Sequence, residues 1–353
     1  MRAALFLLLL AVYLALPRLA WTPEEGLHRV PPMVVSGDEP HYLLMVNSLL
    51  QDRDLILGPG YQRVLRGGPE AGRGFRKVDL DHHTILIDPL TGQHQLWQRI
   101  FDWHTHLEGG GYQRIAPGFE SGAVEVPAHP PAFSALIALA ALPFRAAPEQ
   151  VEGIAITAVA ALSFLALAAL FFAARRAGFT AGEATAAVLL TGLASSFFAY
   201  ARSLFTEPAI ALALVLACWA LAADRPRWAG AACFAAAALK PPFGLVALGW
   251  AALLFRDRRR REARALLEVF FAGCAALAAF NFKLAHTPAI AGASGFVSAA
   301  GLSAIGDQQL AAGVMIGIGS IPFTVAVFVY LYRWLDDQRP ARHRPRRPTV
   351  PVA

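Results

Sequence analysis

Two carboxylates stand side by side in "SGDEPHY", residues 36–42: Asp38 and Glu39, just after the first apolar run of the chain. Adjacent acids at a helix start have two uses. They can stabilise the helix end, because negative charge there gains about 0.3–1 kcal/mol from the macrodipole. They can also take a proton from a reacting hydroxyl held within hydrogen-bond reach. Ser36 and Glu39 have capping-box spacing and Pro40 suits a first helical turn, which fits the first use. Two close carboxylates raise one another's pKa, which suits the second.

Other charges stand where charge is expensive. Lys240 interrupts an apolar stretch over 227–255, where a cation costs at least about 2.5 kcal/mol on insertion scales. It needs a partner, and Glu207, at the head of another apolar run, can supply one. Glu207 precedes Pro208 and reads equally as a helix-start acid. Arg202 either reaches the headgroup layer by snorkelling or holds an anion. His129, in "AHPP", either caps the following helix or contacts a ligand. A further group, Asp79, Asp81, His82, His83, His104 and His106, has the residue types of metal ligands. The alternation in "HTILID" and "DWHTH" reads as well as two short strands of a hairpin with polar faces outward. We favour no metal, and no cofactor is required, although a divalent metal can be accommodated by these types.

The elements that must position these residues are mostly apolar. Of 353 residues 56 % are hydrophobic and 16 % charged, with mean hydropathy +0.46; a soluble chain carries about 25 % charged residues. This excludes an ordinary soluble domain and predicts an all-α polytopic membrane protein with about eight transmembrane helices. The net charge of +6 does not indicate nucleic acid. The arginines cluster at the ends of apolar runs, at 175–176, 225–227, 256–264 and in the tail, as positive-inside topology requires. The three cysteines form no CxxC pair, so neither a zinc site nor a disulfide framework is indicated.

The expected organisation is a first span over 1–21, uncleaved because no small-x-small site precedes Trp21. An external loop over 22–150 follows, then a seven-helix membrane region over 151–334, and a basic Pro/Arg-rich cytoplasmic tail over 335–353. The loop carries an amphipathic surface helix over 38–52, with Tyr42, Met45, Val46, Leu49 and Leu50 as its apolar stripe. A second lies over 131–147; laid flat, it puts all four arginine clusters on the side of Arg2, with both termini cytoplasmic. Lys240-Pro241-Pro242 is expected to break 227–255 into a hairpin.

Four segments carry a resemblance in order. "SGDEPHYLLMVNSLLQDRDL", "AHPPAFSALIALAALPF", "YARSLFTEPAIALALVLACWAL" and "AAAALKPPFGLVAL" resemble motifs of the GT-C class of membrane glycosyltransferases. That class includes the protein O-mannosyltransferases and the lipid A aminoarabinose transferases. The resemblance covers roughly residues 1–260; the chain is short for the class, and its Gly- and Arg-rich loop segment does not align. It implies a polyprenyl-phosphate sugar donor, a glycan, lipid or protein acceptor, membrane lipid surroundings and no nucleic acid. It implies transfer on the external face; the richness in Ala, Arg and Pro points to a GC-rich bacterial genome, where that face of the inner membrane is periplasmic. Asp38 would be the base with Glu39 beside it, Arg202 and Lys240 would bind the donor phosphate, and His129 and Glu207 would support them. One carboxylate base and one phosphate clamp suffice for an inverting displacement, whereas the covalent route needs a second carboxylate as nucleophile. Two other classes stay open: a transporter or flippase coupled through Lys240 and Glu207, and a non-catalytic scaffold of envelope assembly.

Overall fold

The structure, a computed structural model, describes residues 2–15, 18–34, 38–65, 68–70, 72, 80–87, 94–102, 111–114, 124–127 and 129–285. The expected span over 311–333, the tail, Ser36, Asp79, His104 and His106 lie outside them.

The described chain is mostly helical. Helix α1 is described over Arg2–Ala15. It is shorter than the expected first span: Leu19–Thr22 (β1) and Gly26–Arg29 (β2) follow as a small antiparallel hairpin. Gly26 closes its turn at φ +65°, a conformation that favours glycine.

Helix α2, Glu39–Asn47, runs into one π turn, Ser48–Asp52. Arg53, in the left-handed region, stops it and donates its N–H to the Ser48 carbonyl at 2.8 Å. These bounds are the expected ones, but the surface character is not. All nine residues of α2 are buried. Most of the expected polar side is covered rather than solvated: His41 Nδ1 lies 2.9 Å from Tyr61 Oη, Asn47 Nδ2 donates to the Glu70 carbonyl at 2.7 Å, and Ser48 Oγ donates to Asp54 Oδ1 at 2.9 Å, while Gln51 and Asp52 in the π turn stay exposed. Helix α3, Leu57–Leu65, provides one cover and helix α4, Ala132–Ala141, another. Buried polar groups persist where they find such partners.

Four antiparallel strands stand in the loop: β3, Leu80–Ile87; β4, His94–Asp102; β5, Gly111–Arg114; and β6, Val124–Pro127, in spatial order β5-β4-β3-β6. "HTILI" of the expected hairpin lies in β3, which pairs with "HQLWQRIFD", Leu80 opposite Phe101 and Ile87 opposite His94. Of "DWHTH", Asp102 ends β4 and residues 103–106 lie outside the described residues. Asp81, His82 and His83 are thus on β3.

After α4 and a short 3-10 turn, Leu142–Phe144, the helix bundle begins. It comprises α5, Pro148–Arg176; α6, Ala181–Leu193; the single turn α7, Phe197–Tyr200; α8, Glu207–Ala222; α9, Pro226–Leu239; α10, Gly244–Arg256; and α11, Arg260–Ala285. Helix α5 packs on α1, α4, α6 and α8; α9 packs on α8 and α11, and α10 on α11. The run 181–199 is not one helix. Ser195 Oγ donates to the Thr191 carbonyl at 2.6 Å and accepts the Phe197 N–H at 3.1 Å, the side-chain competition by which serine ends helices. The Lys240-Pro241-Pro242 break is present: Lys240 is extended, and a 3-10 turn Pro241–Phe243 leads into α10.

Among the described residues α5 is the one helix long and apolar enough to cross a membrane. Its 29 residues span roughly 43 Å, against about 30 Å for a hydrocarbon core. Helices α1, α6, α8, α9 and α10 have 13 to 16 residues. Between α8, α9, α10 and α11 small side chains alternate with large ones such as Trp250, Leu266 and Phe270. Ala217, Ala220, Ala229, Cys233, Ala247 and Ala263 are buried between α8, α9, α10 and α11. At Gly230 a Cβ would collide with the Leu266 carbonyl, so glycine there permits close contact of α9 with α11.

Candidate functional site

Asp38 occupies the N-cap position of α2, but its side chain makes no capping hydrogen bond. The backbone carbonyl closes the first turn instead, accepting the N–H groups of His41 at 3.1 Å and Tyr42 at 3.0 Å. That leaves the carboxylate for other partners, contrary to the capping reading. Oδ1 lies 3.5 Å from His129 Nε2, with the Asp38 side chain 50 % exposed and His129 20 % exposed. His129 stands just before α4. Pro130 and Pro131 follow it, and α4 begins immediately after them.

Burial alone would push the Asp38 carboxyl up. The hydrogen bond and charge of His129, with the charges of His41 and Lys240, outweigh it and hold the group below the usual carboxylate range. Lys240 is therefore within electrostatic reach of Asp38, although the two are far apart in sequence. Lys240 Nζ is 2.9 Å from Glu207 Oε1, with side chains 48 % and 30 % exposed. The proline pair makes this contact possible, because it stops α9 at Leu239 and leaves Lys240 in extended backbone. Glu207 opens α8 beside Thr206, whose Oγ1 lies 3.5 Å from Glu207 Oε2. The expected Lys240–Glu207 pair is thus formed.

Glu39 is placed differently from its neighbour. It is buried, and its Oε1 accepts the Leu204 N–H at 2.6 Å. This bond pins the start of α2 to the segment that connects α7 to α8. Arg202 belongs to that same segment. Its Nη2 donates to the Leu19 carbonyl of β1 at 3.2 Å, so it braces the hairpin, and it is not among the charges that act on Asp38. Asp38, His129, Lys240 and Glu207 are brought together; Glu39 and Arg202 hold the segments around them.

Tyr42 is a member that sequence reasoning assigned to the apolar stripe alone. It is buried, its ring 5.2 Å from both His129 and Phe133. Burial first, then the charges of Asp38 and Glu207, raise its phenol far above the ordinary value, against a hydrogen bond with Thr206. Tyr42 therefore links the Asp38 side of the site to the head of α8. Its spacing one turn after Asp38 was the available signal.

No group of three or more metal-ligand side chains is assembled among the described residues. Asp79, His104 and His106 lie outside them, and for Asp81, His82 and His83 the backbone register alone is described. The site can thus hold an ionised carboxylate next to a histidine, with a cation and a second carboxylate nearby. Comparison with family models, curated proteins and solved structures finds no match.

Proposed function

We propose that this chain is a polytopic membrane glycosyltransferase of GT-C type. It moves a sugar from a polyprenyl-phosphate donor to an acceptor hydroxyl on the external face of a bacterial inner membrane. The observation that carries the reading is the convergence of Asp38, His129 and Lys240 from three distant parts of the chain.

The chemistry uses what each group can do. The acceptor oxygen attacks the anomeric carbon as the bond from that carbon to the phosphate oxygen breaks. The hydroxyl becomes acidic as its oxygen bonds to carbon, and its proton passes to the Asp38 carboxylate. A carboxylate held low is ionised and ready at neutral pH, and a positioned base contributes about 10²–10⁴-fold. His129, against Asp38, can relay the proton to solvent. Negative charge grows on the departing phosphate, and Lys240 is the cation at hand to meet it. In doing so Lys240 exchanges Glu207 for the phosphate. A single displacement inverts the anomeric centre and needs no second carboxylate in contact with the sugar, which fits the burial of Glu39.

The membrane reading draws support from the surface. Leu7, Leu8, Leu139, Leu165, Phe172, Leu190, Leu216, Leu248 and Phe271 are exposed on seven different helices, and at the closest contact of α9 with α11 Gly230 meets the Leu266 backbone. Large apolar side chains facing outward, with small residues where helices approach most closely, suit helices packed in lipid. Reading α6 with α7, and α9 with α10, as broken spans accommodates their short lengths. A transporter coupled through Lys240 and Glu207 fits less well: that pair is at helix ends and half exposed, whereas coupling sites lie at the bilayer midplane.

The test is Asp38→Asn in membrane vesicles supplied with radiolabelled polyprenyl-phosphate sugars. The variant is expected to insert and fold and to lose transfer. Near-normal product from it would overturn the assignment.

A further inference from the structure

The arginine end of the bundle carries a feature unrelated to Asp38. A groove of about 630 Å³ lies between the end of α10 and the first half of α11. Phe255, Leu267 and Phe271 line its apolar floor, and Arg260, Arg261, Arg264 and the one acid, Glu268, its rim. The two phenylalanines and the three arginines are exposed. Arg264 lies 3.5 Å from Glu268, one turn on. Arg260 and Arg261 form no ion pair among the described residues. Acids are close by, yet they are used elsewhere: Asp224 and Glu262 both pair with the neighbouring Arg259. Two uncompensated guanidinium groups therefore stand over an apolar trough.

We propose that this groove binds an anionic phospholipid of the surrounding leaflet, its phosphate on Arg260 and Arg261 and its upper acyl chain on Phe255, Leu267 and Phe271. The proposal rests on the membrane reading above. Guanidinium groups match phosphate oxygens in bidentate fashion, and basic pockets at the ends of membrane helices recognise anionic headgroups. From Arg260 to Phe271 the helix rises roughly 16 Å, room for a phosphoglycerol and the first methylenes of a chain. A soluble phosphate would leave the apolar floor uncovered. The strongly charged stretch near the end of this chain, "RPARHRPRRP", is itself basic and is repelled by the rim.

The test uses the full chain in phosphatidylcholine vesicles and measures its association with spin-labelled phosphatidylglycerol relative to spin-labelled phosphatidylcholine. Wild type is expected to prefer phosphatidylglycerol by on the order of tenfold. Arg260→Gln/Arg261→Gln/Arg264→Gln should lose that preference, and Arg175→Gln/Arg176→Gln, at the same end of the bundle, should keep it. Excess inorganic phosphate should not abolish it. Equal loss in both variants would mean diffuse surface charge, and displacement by phosphate would mean a headgroup-only site; either overturns the proposal. Photoreactive phosphatidylglycerol on wild type gives an answer even if the triple variant fails to fold: label within 255–271 supports the groove, and label confined to other helices refutes it. Release of wild type from the vesicles by alkaline carbonate would overturn the membrane reading as well. Retention without lipid preference would overturn the lipid site alone.

Discussion

Asp38 keeps its side chain out of the helix cap, and that leaves a titratable carboxylate in the company of His129. Its folded value lies below the ordinary one. The ionised form, and any stability tied to it, is complete above the unfolded value of about 3.9 and is lost as pH falls through the lowered folded value. Replacing His129 by Ala removes the hydrogen bond and a nearby charge. The acidic limb of the pH–rate profile for transfer should then move to higher pH, measured as kcat/KM from about pH 3 to 7. An unmoved limb would separate Asp38 from the rate. Glu39 should behave otherwise. Glu39→Ala strands the buried Leu204 N–H and should lower stability by about 1–3 kcal/mol in detergent unfolding. The sequence presents Asp38 and Glu39 as equals, and nothing local tells them apart. The distinction is made by Leu204 and His129, distant in the chain, so it becomes visible only once α2, α4 and α8 are assembled. Tyr42 joins the core as its spacing implies, and the further hydrogen bond of its phenol with Thr206 becomes visible only once α8 is in place.

At the scale of elements, the break at Lys240 was legible because proline acts locally, by removing a donor and clashing with the preceding turn. The bounds of α2 were legible from Pro40 and the apolar spacing. Its burial was not, since His41, Asn47 and Ser48 look like a solvent face until Tyr61, Glu70 and Asp54 arrive to satisfy them. The Lys240–Glu207 contact joins α8 to the end of α9 with both side chains partly exposed. A double-mutant cycle on thermal stability should return a coupling below about 1 kcal/mol. A much larger value would mean a drier environment than the exposures indicate. Glycines test the helix contacts directly. Gly230→Ala forces α9 away from the backbone of α11 and should cost about 1–3 kcal/mol. Gly249→Ala, where a Cβ meets nothing within 4 Å, should be neutral or stabilising by up to about 1 kcal/mol.

For the whole molecule, the succession of helices puts the ends bearing Arg175, Arg225 and Arg256 together, opposite Asp38 and Lys240. Salt bridges tie the arginine end, as between Arg259 and Asp224. In sealed vesicles of a cysteine-free background, Arg145→Cys and Asp257→Cys should therefore react with an impermeant maleimide from opposite sides. Labelling of both from one side would overturn the topology. Composition made the helical class and the arginine asymmetry readable, because both are sums over many residues; the membrane class remains the proposal built on them. Composition could not show how far each helix extends, since Ser195 ends a helix inside an apolar run.

The enclosure of α2 on all sides has a consequence for traffic. A carrier wedged between neighbours cannot swing aside to admit a bulky guest, so under the proposed function Asp38 stays where it is while reactants come and go. The approach is left to the flank where Lys240 and Glu207 still touch solvent, and a bulky residue installed there should choke entry without disturbing the carboxylate itself.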